Sequence, residues 1–281
     1  SLENNKSGIL DIEIKKPNFQ FFKVSVMPGP SNLLEDSNSV IIFFKDLTDI
    51  IKVQKLKSDF VANVSHELRT PLQSIKLGLE TINNGHAAKD LESQKKILPV
   101  VLQQTSRMEN IVNDLLSLSR IELQEHIRPN EKVNLNDIIS HSIELHQEIL
   151  KKNNIECQFE RESKNVKING DRNRLIEVFN NLIDNGIKYS EKNKKITITT
   201  KSENKNFLVT IKDQGIGISK ENIPQVTERF FRVDPAKSKE VGGTGLGLAI
   251  VKHIVNQHRA EMTISSEINK GTEISLNFPT I

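Results

Sequence analysis

The chain has 281 residues, room for two or three domains of ordinary size. Its 36% apolar and 27% charged residues are the usual balance of a globular protein, and a net charge of +3 with no basic block gives no case for nucleic-acid binding. A single cysteine, Cys157, excludes an internal disulfide, and no run approaches the ~18–20 apolar residues of a membrane span.

In chain order, residues 8–46 read as three strands: Ile9 to Ile14, Phe19 to Met27 and Ser39 to Lys45. Pro17-Asn18 and Pro28-Gly29-Pro30-Ser31 supply the turns. Three strands make a poor core by themselves. The chain opens at Ser1 directly in this pattern, so the segment is read as the tail of a larger β-rich domain in a longer protein.

From Leu47 the period becomes helical. Leu56, Phe60, Val64, Leu68, Leu72, Ile75, Leu79 and Ile82 recur every three or four residues, one stripe on a helix of roughly 35 residues that Asn83-Asn84-Gly85 should end. A second stripe follows through Ile97, Val101, Met108, Ile111, Leu115 and Leu118, with Pro99 expected to kink it or mark a late start. Two long helices joined by a short turn make an antiparallel hairpin. One hairpin cannot bury its own stripe, so pairing with a second copy into a four-helix bundle is expected.

Beyond Arg128-Pro129 the pattern mixes helices (135–152, 172–188, 246–257) with strands (155–160, 165–169, 194–202, 206–213, 261–267, 272–278). That mixture predicts a two-layer α/β sandwich, and a flexible joint near 124–134 would connect it to the hairpin. The fold class is therefore α+β and multidomain.

Three constellations carry chemistry. In Ser65-His66-Glu67-Leu68-Arg69-Thr70-Pro71-Leu72, Val64 and Leu68 point inward, so His66 should face solvent at least in part. Pro71 should bend the helix at that turn, and Thr70 shares the histidine's face. Glu67 can hold one ring N–H while the other nitrogen attacks. On spacing alone, a surface histidine before a helix kink accounts for the pattern better.

The second constellation is a polar stripe on the helix at 172–188, formed by Glu177, Asn181, Asn185 and Lys188 and opposed by Leu175, Val178, Phe179 and Leu182. Asparagine is a mediocre helix former, so the stripe reads either as a solvated face or as a pocket wall. An amide oxygen can ligate Mg²⁺, and Lys188 can meet phosphate as a point charge. The third pairs Asp213, which continues the apolar face of Val209 and Ile211 and precedes Gly215 and Gly217, with Gly242-Gly243-Thr244-Gly245-Leu246-Gly247 at a helix start. Asp-x-Gly is a common strand-ending turn, and glycine runs occur in flexible loops. A glycine loop at a helix N-terminus is also an anion site. No Walker loop or protein-kinase motif is present.

The string Ser-His-Glu-Leu-Arg-Thr-Pro-Leu closely resembles the phospho-acceptor box of sensor histidine kinases. Asn181 to Ser190 resembles the N box, and Asp213 to Gly217 the first glycine box, of the ATP-binding domain shared by histidine kinases, Hsp90, gyrase and MutL. Glu228 to Arg232 and Gly243 to Gly247 resemble its F box and second glycine box; the departure is Gly186, where alanine is usual. The resemblance covers about residues 47–281 and is nearest the phosphate-regulon PhoR type, through Leu115 to Glu122 and Thr227 to Asp234. Residues 1–46 resemble the end of a PAS sensory domain, with Asp46 to Asp49 as the junction that passes signals on.

The resemblance implies a PAS-like end (1–46), a dimerising phospho-acceptor hairpin (47–126) and a catalytic ATP-binding domain (132–281). By it, His66 is phosphorylated, Glu67 is the acid/base partner and Thr70 positions water for dephosphorylating the partner. Asn185 holds Mg²⁺ with Asn181 nearby, Asp213 reads adenine, and Tyr189 lies against the base. Lys188, Arg232, Gly215, Gly217, Gly243, Thr244, Gly245, Leu246 and Gly247 complete the nucleotide site, under a lid at 219–244. The implied cofactors are ATP and Mg²⁺. The implied partners are a second copy and a response-regulator receiver domain of the PhoB-like kind. The implied location is the cytoplasmic portion of a parent anchored in a bacterial inner membrane. Two competing readings are a clamp ATPase of the Hsp90 or gyrase class, which would hydrolyse ATP without a phosphoprotein, and a non-catalytic dimeric scaffold.

Overall fold

A computed structural model describes residues 7–16, 18–28, 40–84, 90–162, 166–191, 193–234, 238 and 242–281. The turn signals at Pro17 and 29–39, the hairpin turn at 85–89 and parts of the 219–244 stretch lie outside them. The chain forms two compact units, Ser1–Glu67 and Leu68–Ile281.

The first unit opens with an antiparallel meander of β1 (Gly8–Ile14), β2 (Gln20–Pro28) and β3 (Val40–Asp46). Leu10 pairs with Val24 and Val24 with Phe44, which places Val24, 5% exposed, at the centre of the sheet. The meander is stapled to the start of α1 (Thr48–Asn84). Asp46 Oδ1 accepts the Thr48 amide at 2.8 Å, and Thr48 Oγ1 accepts the Phe21 amide at 3.0 Å. The side-chain and backbone hydrogen bonds from Thr48 hold the Asp46 carboxyl below its ordinary range. The junction segment at 46–49 is thus a helix cap built from a strand end.

The second unit takes up the rest of α1 and then α2 (Leu91–Leu123), which Asp90 caps by accepting the Glu92 amide. Pro71 and Pro99 lie inside helices that run through them, so Pro99 does not mark a late start. Gly78 lets the two helices approach: a Cβ there would fall 2.6 Å from Val101 Cγ2. Ile111, Leu118 and Ile121 of α2 are buried, whereas Leu72, Leu79, Leu98 and Leu102 stay exposed on this single copy.

The remainder is the expected sandwich: β4 (Lys132–Asn134), α3 (Leu135–Leu145), α4 (Gln147–Lys152), β5 (Glu156–Glu160), β6 (Lys167–Asn169), α5 (Arg172–Tyr189), β7 (Lys195–Glu203), β8 (Asn206–Lys212), α6 (Gly247–Gln257), β9 (Glu261–Glu267) and β10 (Gly271–Pro279). One sheet runs β5-β7-β8-β10-β9, with β5 and β7 parallel and the other pairs antiparallel; β4 and β6 form a separate ribbon. Alternation along β7 and β8 buries Ile196, Ile198, Phe207 and Val209 on one face, and α5, which packs on both strands, buries Val178, Phe179 and Leu182. Cys157 sits half-buried in β5, and burial pushes its thiol up to about 11, which leaves it an inert strand residue.

The helix expected over 135–152 is two helices. His146 sits at the break with φ −97° and ψ 0° and is 7% exposed. The segment expected to be a flexible joint is fastened to the end of α6. Gln257 Nε2 donates to the carbonyls of Gln124 (2.9 Å) and Ile127 (2.8 Å), and Arg128 Nη1 donates to that of Asn256 (3.0 Å).

Candidate active site

The second unit holds a cavity of about 290 Å³ between α5, the loop after β8, the glycine loop before α6 and the middle of α2. α5 presents Asn181, Asp184, Asn185 and Lys188 to it, and Tyr189 closes its end. The helix forms because Asp171 caps it, accepting the amides of Asn173 and Arg174, and its amphipathic pattern turns the apolar face to the sheet. The polar stripe is therefore a pocket wall with one correction. Glu177 does not line the cavity; it accepts a hydrogen bond from Ser117 of α2, and burial pushes its carboxyl up. Gly186 packs on Ile196: a Cβ would fall 2.9 Å from Ile196 Cδ1.

Asp213 stands at the end of β8. Its Oδ1 accepts the amides of Gly215 (2.8 Å) and Thr272 (3.1 Å), and burial outweighs those bonds and raises its pKa. The loop then turns through Gly217, at φ +68°, where a Cβ would fall 2.0 Å from the Glu267 carbonyl oxygen, so only glycine fits. At the opposite wall Gly247 opens α6 so close to α5 that its Cβ would sit 2.6 Å from Asn181 Oδ1. Thr244 ties the glycine loop together. Its carbonyl accepts from Arg232 Nη2 (3.0 Å), its Oγ1 accepts the Leu246 amide (3.2 Å), and its hydroxyl donates to Asp114 Oδ2 (2.7 Å). Asp114 comes from α2, and burial raises its pKa. Phe230 adopts φ +63° to lay its amide on the Gly245 carbonyl at 2.8 Å, a strained backbone of the kind found at ligand sites.

Of the sequence-predicted nucleotide residues, Asn181, Asn185, Lys188, Tyr189, Asp213 and Gly217 line the cavity, as do Arg232, Gly243, Thr244, Gly245 and Gly247. Gly215 and Leu246 do not. The Gly215 amide is spent on Asp213, and the Leu246 side chain is fully buried with its amide on Thr244, so both support the wall from behind. Sequence reasoning missed Asp184 and the α2 residues Asn110, Asn113 and Asp114. Asp184 could have been found, since it is four residues before Lys188 and shares its face. The α2 residues depend on tertiary docking.

Among the described residues no cluster of three or more His, Cys, Asp or Glu side chains forms a metal site. Amides and a nearby carboxylate suit Mg²⁺, which arrives with phosphate and keeps several waters, so Asn181, Asp184 and Asn185 on one wall fit the ion.

The predicted acceptor residues are placed on α1. His66 and Thr70 are exposed and Glu67 is half-buried; in the preceding turn Ser65 Oγ donates to the Val61 carbonyl at 2.9 Å.

Two buried histidines have opposite electrostatics. His146 Nε2 lies 3.2 Å from Asp184 Oδ1 and its Nδ1 lies 2.7 Å from the Ser142 carbonyl; the bond to Asp184, ahead of burial, raises its pKa. His258 Nε2 accepts the Asp171 amide at 2.9 Å, and burial lowers its pKa. A raised histidine stabilises the fold below its unfolded value and loses that contribution as pH rises through the folded value. A lowered one costs stability as pH falls below the ordinary value. NMR titration should therefore show His146 deprotonating above about 6.5 and His258 below it.

The family described as "His Kinase A (phospho-acceptor) domain" matches residues 56–124, and that described as "Histidine kinase-, DNA gyrase B-, and HSP90-like ATPase" matches residues 170–281. The sensor-like histidine kinase SenX3 of Mycobacterium tuberculosis is 33% identical over 255 residues, 90% of this chain and 62% of SenX3. The phosphate regulon sensor protein PhoR of Pseudomonas aeruginosa is 34% identical over 239 residues, 85% of this chain and 53% of PhoR. The chain thus spans between half and two thirds of the length of these curated relatives. Among solved structures, the Acinetobacter baumannii histidine kinase AdeS superposes with a TM-score of 0.60 at 26% identity, over 76% of this chain and 97% of AdeS.

Proposed function

Because the chain belongs to the sensor histidine kinases, we propose that it transfers the γ-phosphoryl group of ATP to His66 and then to an aspartate of a response regulator. One observation carries this reading: the N-box helix, the Asp213 loop and the glycine loop, far apart in sequence, converge on one cavity in a chain that also carries the acceptor turn.

In the cavity each group has a task. Asp213, with Oδ1 committed to two amides, offers Oδ2 to the adenine amino group. Tyr189 flanks the base. The glycine loop at the start of α6 presents backbone amides to the phosphates, aided by the helix dipole. Lys188 and Arg232 add point charges there. Asn185, with Asn181 nearby, would hold Mg²⁺, which would neutralise phosphate charge. Phosphoryl transfer needs little covalent chemistry from the protein beyond this positioning and neutralisation. At the acceptor, Glu67 takes the N–H on one nitrogen of His66 while the other attacks in line with the departing ADP oxygen. Thr70 positions water for the separate hydrolysis of the regulator's aspartyl phosphate, which releases inorganic phosphate and restores the aspartate.

The domain scheme of a PAS-like end (1–46), dimerising hairpin (47–126) and catalytic domain (132–281) belongs to the same proposal. The exposed Leu72, Leu79, Leu98 and Leu102 support a second copy packed on the hairpin. The PhoR match supports a regulator of the PhoB-like kind. Among the described residues no helix is long and apolar enough to cross a membrane, and we assign this portion to the cytoplasmic side of a membrane-anchored parent.

The ion's role gives a direct test. Wild-type protein should bind ATP at least tenfold more tightly with Mg²⁺ than with EDTA, and Asn185→Ala should shrink that ratio to about twofold while ADP binding in EDTA is unchanged. A ratio unaffected by the substitution removes Asn185 from the ion's ligands.

A further inference from the structure

We propose that His146 is a positioning residue for the nucleotide site: it locks Asp184, and through Asp184 it holds Lys188 at the phosphate end of the cavity. The inference rests on the nucleotide reading given above.

Three side chains form a line from the core to the cavity. His146 sits at the break between α3 and α4, 7% exposed, and makes no direct contribution to the cavity lining. Its Nδ1 faces the Ser142 carbonyl at 2.7 Å, an acceptor only, so that nitrogen carries a proton. Its Nε2 faces Asp184 Oδ1 at 3.2 Å. The second oxygen, Asp184 Oδ2, accepts from Lys188 Nζ at 3.3 Å. Asp184 and Lys188 both line the cavity. The carboxylate is therefore bridged: one oxygen is tied to a ring that packing and a backbone carbonyl hold still, the other to the lysine.

The bridge matters because a lysine on four methylenes loses rotamer freedom when it is fixed. In this chain much of that ordering is done before a ligand arrives. With one oxygen on the His146 ring and the other on the Lys188 ammonium, the Asp184 side chain is fixed from both sides. Without the ring, the Asp184 carboxylate loses the contact that fixes it, and the Lys188 ammonium bonded to its other oxygen loses its place at the cavity. A histidine serving only to break α3 from α4 would affect fold stability and would not distinguish a phosphate-bearing ligand from a bare nucleoside.

The experiment measures MgATP and adenosine affinities by competition against a fluorescent nucleotide, in wild type and variants. His146→Leu should weaken MgATP about tenfold and leave adenosine unchanged. His146→Gln, whose side-chain amide can donate to Asp184, should stay within about threefold of wild type. In a Lys188→Met background, His146→Leu should cost nothing further. Equal losses for ATP and adenosine, or a full tenfold loss in the Lys188→Met background, would overturn the proposal. Should His146→Leu fail to fold, Asp184→Asn breaks the same link from its other side and, with ATP measured in EDTA so that the ion plays no part, must show the same ATP-selective loss; an unselective loss overturns the idea equally. Wild-type protein that binds neither ligand would instead overturn the nucleotide reading itself.

Discussion

His66→Gln is expected to abolish phosphoprotein formation, a loss of at least about 1000-fold, while ATP affinity stays within twofold of wild type. Glutamine approximates the size of histidine and suits a helix, so α1 should persist. What it lacks is a ring nitrogen with a free lone pair, and without that nucleophile the γ-phosphoryl group has no acceptor at this turn. None of the cavity residues is altered, so nucleotide binding reports independently on the second unit. Labelled ATP with gel autoradiography measures the first quantity, and a fluorescent nucleotide the second. The same variant separates the competing readings. A clamp ATPase would keep its hydrolysis rate in His66→Gln, and a scaffold would show no label in wild type either.

Asp213→Asn should lower ATP affinity on the order of 100-fold with little change in melting temperature. Asparagine keeps the shape and retains an oxygen for the Gly215 and Thr272 amides, so the loop after β8 stays folded. The substitution replaces the other oxygen with an NH₂. That donor would then face the adenine amino group, also a donor, and the pairing that selects adenine is lost. Guanine presents a carbonyl at that position, so the preference for ATP over GTP should shrink as well. A uniform loss for both nucleotides would place Asp213 in loop support alone.

The sequence was most legible where one face of an element is apolar and periodic. β7 and β8 alternate cleanly because one side faces the helices, and α5 shows its stripe because the other side faces the sheet. The stripe also named Asn181, Asn185 and Lys188 of the cavity wall in advance. Its first member, Glu177, was misplaced because helical spacing gives direction around the axis but not reach. One turn earlier on the helix, the same face meets Ser117 of α2 rather than the cavity.

The break at His146 left no mark, since neither glycine nor proline stands there. A ring bonded to Ser142 behind it and to Asp184 in front decides the geometry, and Asp184 is far along the chain. The clasp of Gln257 on Gln124 and Ile127 is equally silent, because a polar residue near a helix end reads as exposed until a neighbour covers it. Asp114 is the same kind of miss. In the α2 pattern it is one more polar residue between Ile111 and Leu115, yet in the fold it accepts the Thr244 hydroxyl at the glycine loop.

Phosphorus is expected to leave ATP and bond to the imidazole of His66. Incubating the protein with γ-³²P-ATP and Mg²⁺, then splitting the sample between acid and alkali before mapping the labelled peptide, decides the matter. The expected label sits on the peptide containing His66, is lost in acid and survives alkali, the behaviour of a phosphoramidate. Label that resists acid, label on another peptide, or ATP firmly bound with no label transferred would contradict it.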